Sequence, residues 1–203
     1  MKKGKFIVIC GVEGSGKGTQ INLIKEHFKG NDNIVFTREP GGTDIAEKIR
    51  DIILNEDIDP LTEAYLFAAA RREHIIKKIK PSLEEGKTII CDRFVYSSLV
   101  YQGLGRNLGI NFIDRLNKPV IEGFYPDKII YLDLEPEIGL ERIKKNNREI
   151  NRLDNEKLDF YKKCREGFLH LANNEPDKFI IINANQSERK VFQDIKNNLK
   201  DLF

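Results

Sequence analysis

The feature that most constrains the fold is a glycine-rich segment with one lysine, placed between an apolar run and a helical pattern. The segment Gly11–Thr19 reads G-V-E-G-S-G-K-G-T and directly follows the apolar run Phe6–Cys10. It contains the spacing G-x-x-x-x-G-K. Glycines let successive backbone N–H groups point at one anion, and a following helix adds its N-terminal dipole. Since Ile21, Ile24 and Phe28 share one helix face, the sequence predicts a strand, a phosphate-binding loop and a helix.

The loop is predicted to bind the phosphates of a nucleotide through its backbone and through Lys17, which would reach the transferring phosphoryl group. In such loops a serine or threonine usually follows the lysine and binds Mg²⁺. Here that position is Gly18, so the ligand of the metal stays open between Thr19 and a carboxylate elsewhere. The predicted phosphate-binding residues of the loop are Gly11, Val12, Glu13, Gly14, Ser15, Gly16, Lys17, Gly18 and Thr19.

Four more apolar runs alternate with helical patterns along the chain. None of the runs alternates apolar and polar residues, which is typical of strands that are covered on both faces. Strands separated by helices form parallel sheets with helices on both sides. The sequence therefore predicts an α/β fold in a single domain over residues 1–203. The four runs are Ile34–Thr37, Thr88–Cys91, Lys128–Leu132 and Phe179–Ile182.

Composition excludes several classes of protein. Thirty-four Lys and Arg residues against 32 Asp and Glu residues leave a net charge of +2, so no overall basic field for nucleic acid is indicated and any basic site must be local. No apolar run approaches the ~20 residues that a membrane span needs. Three cysteines, an odd number, argue against a disulfide framework and favour a cytoplasmic location. The three histidines lack the spacing of metal ligands and are predicted to lie at the surface.

Motifs after the second and third apolar runs identify a family. Thr37–Thr43 reads T-R-E-P-G-G-T, and Asp92–Gly103 reads D-R-F-V-Y-S-S-L-V-Y-Q-G. Together with Leu66–Arg71 and Leu158–Tyr161, these segments resemble the bacterial and archaeal thymidylate kinases (dTMP kinases), in the right order and over nearly the whole chain. The resemblance implies a P-loop NTPase fold with a five-stranded parallel sheet. It also implies a homodimer that transfers the γ-phosphoryl group of ATP to dTMP with Mg²⁺.

Two arginines and a carboxylate follow adjacent predicted strands, at the edge of the sheet where ligands bind. Arg38 and Arg93 carry planar guanidinium groups suited to phosphate, and the resemblance makes both of them phosphate ligands. The alternative is a surface ion pair with Glu39 or Asp92. Asp92 itself has two interpretations that can coexist: a ligand of hydrated Mg²⁺ or the cap of a helix that begins near Phe94.

Phe67 and Arg71 lie four residues apart, on one side of a predicted helix. The resemblance makes Phe67 the stacking partner of thymine and Arg71 a donor to its carbonyl group. It places Glu13 against the sugar or phosphate of the acceptor, and Tyr101 under the sugar, where it excludes a 2′-hydroxyl. Core packing of Phe67 is the alternative. The remaining predicted substrate contacts come from Pro40, after an expected cis bond, and from Ser97, Ser98 and Gln102.

A polar, basic segment over residues 144–155 resembles the short helical lid of this family. Some members place a catalytic arginine in the phosphate loop and others in the lid. Positions 12, 13 and 15 of the loop hold no arginine, so Arg148 and Arg152 are the predicted catalytic arginines. Asn151–Asp154 departs at two positions from the family's D-R-I-E-like pattern, and a solvated connection is the alternative for the segment.

Three other functions stay open at this stage. A kinase for uridylate or for a deoxynucleoside is the nearest, although Ser97–Gln102 favours thymidylate. A GTPase is disfavoured because Asn117–Val120 lacks the aspartate of the guanine-reading N-K-x-D pattern. A non-catalytic nucleotide-binding module would have lost the lysine or the arginines, and Lys17, Arg38 and Arg93 are all present.

Overall fold

A computed structural model describes residues 4–145 and 156–200, and it contains one sheet of five parallel strands. Each strand begins at the predicted residue and continues one residue further. The added residue is glycine or polar, and backbone pairing includes it although its side chain does not belong to the core. The strands are β1 (Phe6–Gly11), β2 (Ile34–Arg38), β3 (Thr88–Asp92), β4 (Lys128–Asp133) and β5 (Phe179–Asn183).

Helices connect the strands, and two of the connections contain π-helical segments. The helix that ends at His74 continues as a π segment over Ile75–Ile79, and a second π segment covers Leu99–Gly105. The α-helices are α1 (Lys17–His27), α2 (Asp44–Asn55), α3 (Pro60–His74), α4 (Lys80–Glu84), α5 (Val95–Ser98), α6 (Ile110–Ile121), α7 (Pro136–Lys145), α8 (Leu158–Asn174) and α9 (Glu188–Leu199).

Both faces of the sheet are covered, as the uninterrupted apolar runs predict. Phe6, Val8 and Cys10 of β1 pack in one core with residues of α5, α6 and α8. Ile7 and Ile9 point to the other face and pack in a second core with α1 and α9. The cysteines of the chain are buried and free. Within the described ranges, no helix is long and apolar enough to cross a membrane.

The strand order, β2-β3-β1-β4-β5, positions the ligand site. The chain leaves β1 toward one edge of the sheet and later returns to its other side. The carboxyl ends of β1 and β3 therefore meet beneath a crevice, which is where α/β sheets bind ligands. Register aligns Asp92 with Arg38 of β2 and with Ile9 of β1. Most of the predicted lid, including Arg148 and Arg152, lies outside the described residues.

Candidate active site

A cavity of about 670 Å³ opens at the carboxyl ends of the strands. One continuous space includes most of the phosphate loop and the predicted acceptor residues. Gly11 and Val12 do not line it, since they are buried at the end of β1. The predicted residues that do line it are Glu13, Gly14, Ser15, Gly16, Lys17, Gly18, Thr19, Pro40, Phe67, Arg71, Asp92, Arg93, Ser97, Ser98, Tyr101 and Gln102.

Helix α7 packs directly on the backbone of the phosphate loop. A Cβ atom on Gly14, whose φ is 74°, would overlap the backbone of Gly139. A Cβ atom on Gly139 would in turn overlap the carbonyl oxygen of Glu13. One turn later, Arg142 donates from both terminal nitrogens to the carbonyl oxygen of Ala184, at 3.2 Å each. Helix α7 therefore joins the loop to the segment after β5.

Lys17 donates from Nζ to the carbonyl oxygen of Gly11, 3.1 Å away. Burial is the largest cause that lowers the pKa of this lysine, to about 8, and the positive charge of Arg93 acts in the same direction. The carboxylates of Asp92 and Glu13 offset only part of this effect. The ammonium group is therefore held where an added anion, such as a phosphate, would stabilise its charge.

The contacts of Glu13 with Arg93 and Tyr101 explain why a carboxylate lies inside a phosphate-binding loop. Its Oε1 lies 2.5 Å from the NH2 group of Arg93, and its Oε2 accepts a 2.7 Å hydrogen bond from the Tyr101 hydroxyl. The guanidinium carbon of Arg93 lies 4.8 Å from the centre of the Tyr101 ring. Although burial acts to raise the pKa of Glu13, the charges of Arg93 and Lys17 hold it below its ordinary value. A carboxylate thus fixes the position of an arginine that lines the cavity.

Asp92 fits the hydrated Mg²⁺ that accompanies ATP. Its Oδ1 is buried at the cavity and has no hydrogen-bond partner among the described residues. The capping alternative is wrong, because Phe94 is the N-cap of α5 and no side chain caps that helix. Among the described residues, no group of three or more His, Cys, Asp or Glu side chains is arranged to hold a metal ion. The unpaired Oδ1 of Asp92 fits a metal whose other ligands are water and phosphate.

Arg71 lies in a buried polar cluster at the acceptor end of the cavity, with only 2% of its surface exposed. Its Nε donates to Glu39 Oε2 at 2.8 Å, and its NH2 group donates to Ser98 Oγ at 3.0 Å. Its NH1 group contacts Asn117 Oδ1 of α6 at 2.5 Å. Phe67, one turn earlier on α3, is partly exposed and lines the cavity. The pair predicted from its four-residue spacing therefore shares one wall.

Arg38 is not among the side chains that line the cavity. It is exposed and pairs with Glu47 of α2 at 2.9 Å. A surface ion pair therefore forms, as the alternative predicted, but its partner is neither Glu39 nor Asp92.

Arg50, also on α2, lines the cavity and donates to the Pro40 carbonyl oxygen at 2.9 Å. The position of Arg50 at the cavity is not predicted from the sequence, because no motif contains this residue. Its spacing of four from Leu54, which also lines the cavity, was the available signal.

The prediction that the histidines lie at the surface is wrong for His74, which is fully buried. Its two ring nitrogens contact Thr37 Oγ1 at 2.7 Å and Glu39 Oε1 at 3.1 Å. Its spacing of three from Arg71 places both on the buried side of α3. The neighbouring Arg72 points away from this cluster, pairs with Glu122 at 2.7 Å and donates to the Val120 carbonyl oxygen. The Glu39–Pro40 bond is cis, as expected.

Comparison with known proteins identifies the family of the chain. A family model described as Thymidylate kinase matches residues 9–195. A thymidylate kinase of Clostridium novyi (strain NT) is 50% identical over 205 residues, which cover 98% of this chain and 100% of that protein. A thymidylate kinase of Shouchella clausii (strain KSM-K16) is 49% identical over 199 residues, which cover 96% and 93%. The crystal structure of thymidylate kinase from Ehrlichia chaffeensis matches with a TM-score of 0.80 and 33% identity, and covers 97% of this chain and 99% of that one.

Proposed function

The chain belongs to the thymidylate kinase family, and we propose from this premise which of its side chains serve each part of the reaction. It is a nucleoside monophosphate kinase that transfers the γ-phosphoryl group of ATP to dTMP, giving dTDP and ADP. A phosphate oxygen of dTMP attacks the γ-phosphorus, and the bond to the β-phosphate oxygen of ADP breaks. One observation supports the division of roles most: a single cavity joins the phosphate loop to the wall formed by Phe67 and Arg71.

The donor nucleotide would bind at the end of the cavity formed by the phosphate loop, α7 and the segment after β5. Backbone N–H groups of residues 13–19 would hold the β- and γ-phosphates, with Lys17 on the transferring group. Asp92 would hold hydrated Mg²⁺, which offsets the charge of those phosphates when ATP is bound. Ala184, Gln186 and Arg142 line the same end of the cavity and would contact the adenosine part.

The acceptor would bind against α3 and the π segment that carries Tyr101. Arg93 lies between the two ends of the cavity and would contact the phosphates of both nucleotides, with Arg50 on the acceptor phosphate. Arg38 stays a second phosphate ligand in this proposal, provided that it leaves Glu47. Phe67 would stack on thymine, and Arg71 would donate to a carbonyl of the base. The other contacts would come from Glu13, Pro40, Ser97, Ser98, Tyr101 and Gln102.

The reaction needs little from the protein beyond position and charge. The acceptor phosphate is already ionised, so no general base is required, and no covalent intermediate forms. Catalysis then depends on alignment of the two phosphates and on cations that share the charge of the transferring group. We assign those cations to Lys17, Arg93 and the lid arginines Arg148 and Arg152.

We also propose that two copies of the chain form a homodimer in the cytoplasm. Four large apolar side chains are exposed on helices α2 and α3, which contact each other, and clustered apolar surface is typical of protein interfaces. A second copy that covers these helices would bury them. A reducing compartment suits a chain with three free cysteines. The four exposed side chains are Ile45, Ile52, Leu61 and Tyr65.

A substrate comparison tests the proposed acceptor. We expect dTMP to be preferred over AMP and CMP by at least ~10³ in kcat/KM, because a site with directed polar groups rejects bases that leave them unpaired. The nucleotide dUMP should be a weaker substrate, since one missing methyl group costs only ~1–3 kcal/mol. A coupled assay of ADP release measures each value. Comparable turnover of AMP or UMP would contradict the assignment of these residues to thymine.

Arg50 and Arg38 should differ in their effect on the acceptor. We expect Arg50→Ala to raise KM for dTMP about tenfold or more, because a charged hydrogen bond to phosphate contributes ~1.5–3 kcal/mol. Arg38→Ala should have the smaller effect, since its guanidinium is exposed and paired with Glu47. Steady-state kinetics with varied dTMP, at saturating ATP, distinguish the two variants. The reverse order would show that Arg38 leaves Glu47 and is the principal ligand.

The lid arginines are tested by a double variant. We expect Arg148→Ala with Arg152→Ala to lower kcat by roughly 10²-fold, because an arginine that contacts only the transition state contributes to kcat rather than to binding. The dissociation constant for dTMP should stay almost unchanged. Single-turnover kinetics and equilibrium dTMP binding measure the two quantities. Normal turnover of the double variant would leave charge compensation to Lys17, Arg93 and the metal.

A further inference from the structure

A buried chain of hydrogen bonds leads from β2 to the proposed base-binding arginine. Thr37 Oγ1 lies 2.7 Å from Nε2 of His74, and Nδ1 of His74 lies 3.1 Å from Oε1 of Glu39. The other carboxylate oxygen of Glu39 accepts from Arg71 Nε at 2.8 Å. His74, Glu39 and Arg71 are each at most 4% exposed. Four side chains from two segments of the chain, the end of β2 with the residue that follows it and α3, are therefore connected away from solvent.

This chain determines the direction of the Arg71 guanidinium. Three of its five N–H groups donate to Glu39, Asn117 and Ser98, which leaves two N–H groups. Because the guanidinium is planar and rigid, the direction of the two remaining groups follows from the direction of the three bonds. Glu39 can hold Arg71 only as firmly as Glu39 is itself held, and His74 contacts the carboxylate oxygen that Arg71 does not use.

One assignment of the protons pairs every polar atom in the chain. If Nδ1–H of His74 donates to Glu39, then Nε2 accepts from the Thr37 hydroxyl. Each ring nitrogen then has one partner, and each oxygen of Glu39 accepts from a different side chain. A buried carboxylate oxygen that lost its donor would stay unpaired at a large cost. His74 therefore fixes the orientation of Glu39 rather than filling space.

The glycine turn before α2 packs on the same histidine. A Cβ atom on Gly42 would come within 2.5 Å of Thr37 Oγ1 and 2.7 Å of His74 Nε2. Gly42 also has a φ of 87°, a backbone conformation that residues with a side chain rarely adopt. The turn that begins at Pro40, a cavity residue, thus lies directly on the hydrogen bond between Thr37 and His74. His74 therefore packs beside the turn and is linked through Glu39 to Arg71, one turn earlier on α3.

We propose that His74 is a positioning residue for the acceptor base, which holds Glu39 so that the free N–H groups of Arg71 face a carbonyl of thymine. This inference rests on the proposed contact between Arg71 and the base. It assigns His74 a role in recognition of the acceptor and none in phosphoryl transfer. Loss of the contact between His74 and Glu39 should therefore change dTMP binding and base selectivity, and should leave KM for ATP unchanged.

Two substitutions separate the two ring nitrogens of His74. An asparagine amide reaches the position of Nδ1, so His74→Asn keeps a donor for Glu39. A glutamine amide reaches the position of Nε2, so His74→Gln keeps the contact with Thr37 and leaves Glu39 Oε1 unpaired. Asparagine is the smaller residue and leaves the larger cavity. A role in packing alone therefore predicts that His74→Asn is the more damaging change, whereas the positioning role predicts the opposite order.

The experiment measures KM for dTMP, KM for ATP and the preference for dTMP over 5-methyl-dCMP in both variants. The two nucleotides differ only at ring positions 3 and 4, where a carbonyl acceptor is replaced by an amino donor. We expect His74→Gln to raise KM for dTMP about tenfold and to lower the preference about tenfold, as for an unpaired buried group. We expect His74→Asn, which also loses the contact with Thr37, to raise KM for dTMP only about threefold and to keep the preference within about threefold of the unchanged protein.

Equal effects of the two variants, or a larger effect of His74→Asn, would overturn the proposal.

Arg71→Lys tests the premise separately, because it keeps a positive charge beside Glu39 but loses the planar fork of the guanidinium. If Arg71→Lys leaves KM for dTMP and the preference for dTMP unchanged, the proposed contact between Arg71 and the base is wrong, whatever the His74 variants show.

If His74→Gln does not fold, Thr37→Val serves in its place. It removes the hydroxyl at the far end of the chain of hydrogen bonds, and we expect a rise of about threefold in KM for dTMP with no change in KM for ATP. An unchanged KM in that variant would equally overturn the proposal.

Discussion

Replacement of Lys17 with alanine is expected to lower kcat by about 10²–10³, the usual effect of removing one preorganised donor from a developing negative charge. The structure supports this size because the ammonium group is enclosed near Asp92, Glu13 and Arg93 and donates a hydrogen bond to the Gly11 carbonyl oxygen. KM for dTMP should change much less, because Lys17 lies at the donor end of the cavity. Steady-state kinetics measure both values, and a near-normal kcat would contradict the phosphate-loop mechanism.

Thermal stability and pH dependence are the controls for this variant. Burial lowers the pKa of Lys17 to about 8, whereas an unfolded chain keeps its lysine near 10.5. The unfolded chain therefore binds this proton more tightly, and the charge on Lys17 opposes folding at neutral pH. Lys17→Ala should thus unfold at the same temperature as the unchanged protein or slightly above it. In the unchanged protein, kcat/KM for ATP should decline as pH rises through about 8, and the variant should lack that decline.

Replacement of Arg93 with alanine is expected to lower kcat/KM for dTMP by about 10³ or more, because this guanidinium lies between the proposed donor and acceptor phosphates. Its position depends on Glu13, 2.5 Å away, and on the ring of Tyr101. The residue also holds a φ of 66° at the end of β3, which is rare for a side-chain-bearing residue. A backbone in this conformation supports a role in the site. Steady-state kinetics with varied dTMP measure the effect.

A second variant distinguishes a contact with substrate from a counter-ion for Glu13. Arg93→Ala leaves the buried carboxylate of Glu13 without its partner, and that unpaired charge could itself repel phosphate. Arg93→Ala combined with Glu13→Gln removes both charges and keeps the acceptor for Tyr101. We expect the double variant to remain at least 10²-fold below the unchanged protein, since the missing positive charge is not restored. Recovery to within tenfold would show that Arg93 serves only to neutralise Glu13.

Much of the architecture follows from local patterns in the sequence. Five apolar runs predict five strands with correct starts, because strands buried on both faces need unbroken apolar segments. The strand, the glycine loop and the helix that follows predict the phosphate site, since backbone N–H groups and a helix N-terminus do not depend on distant partners. Phe67 and Arg71 share a wall of the cavity because residues four apart on a helix point the same way.

The roles of several polar residues were not evident from the sequence, because their partners are far away along the chain. His74 has no feature of its own that separates a surface histidine from a buried one, and its contacts come from β2 and the turn after it. Arg50 belongs to no motif, yet α2 places it in the cavity while Arg38 pairs with Glu47. Asn117 looked like a fragment of a guanine-reading motif, and it instead holds Arg71.

The sequence by itself determined the order of the strands along the chain, the phosphate loop and most of the predicted residues that line the cavity. Tertiary structure alone decided which of these residues meet. Arg71 gains partners 32, 27 and 46 residues away, and only the packing of α3 against α6 and against the ends of β2 and β3 brings them together. The physical reason is that a buried charge needs compensation from whichever groups the fold places within hydrogen-bond distance, and no local pattern records that distance.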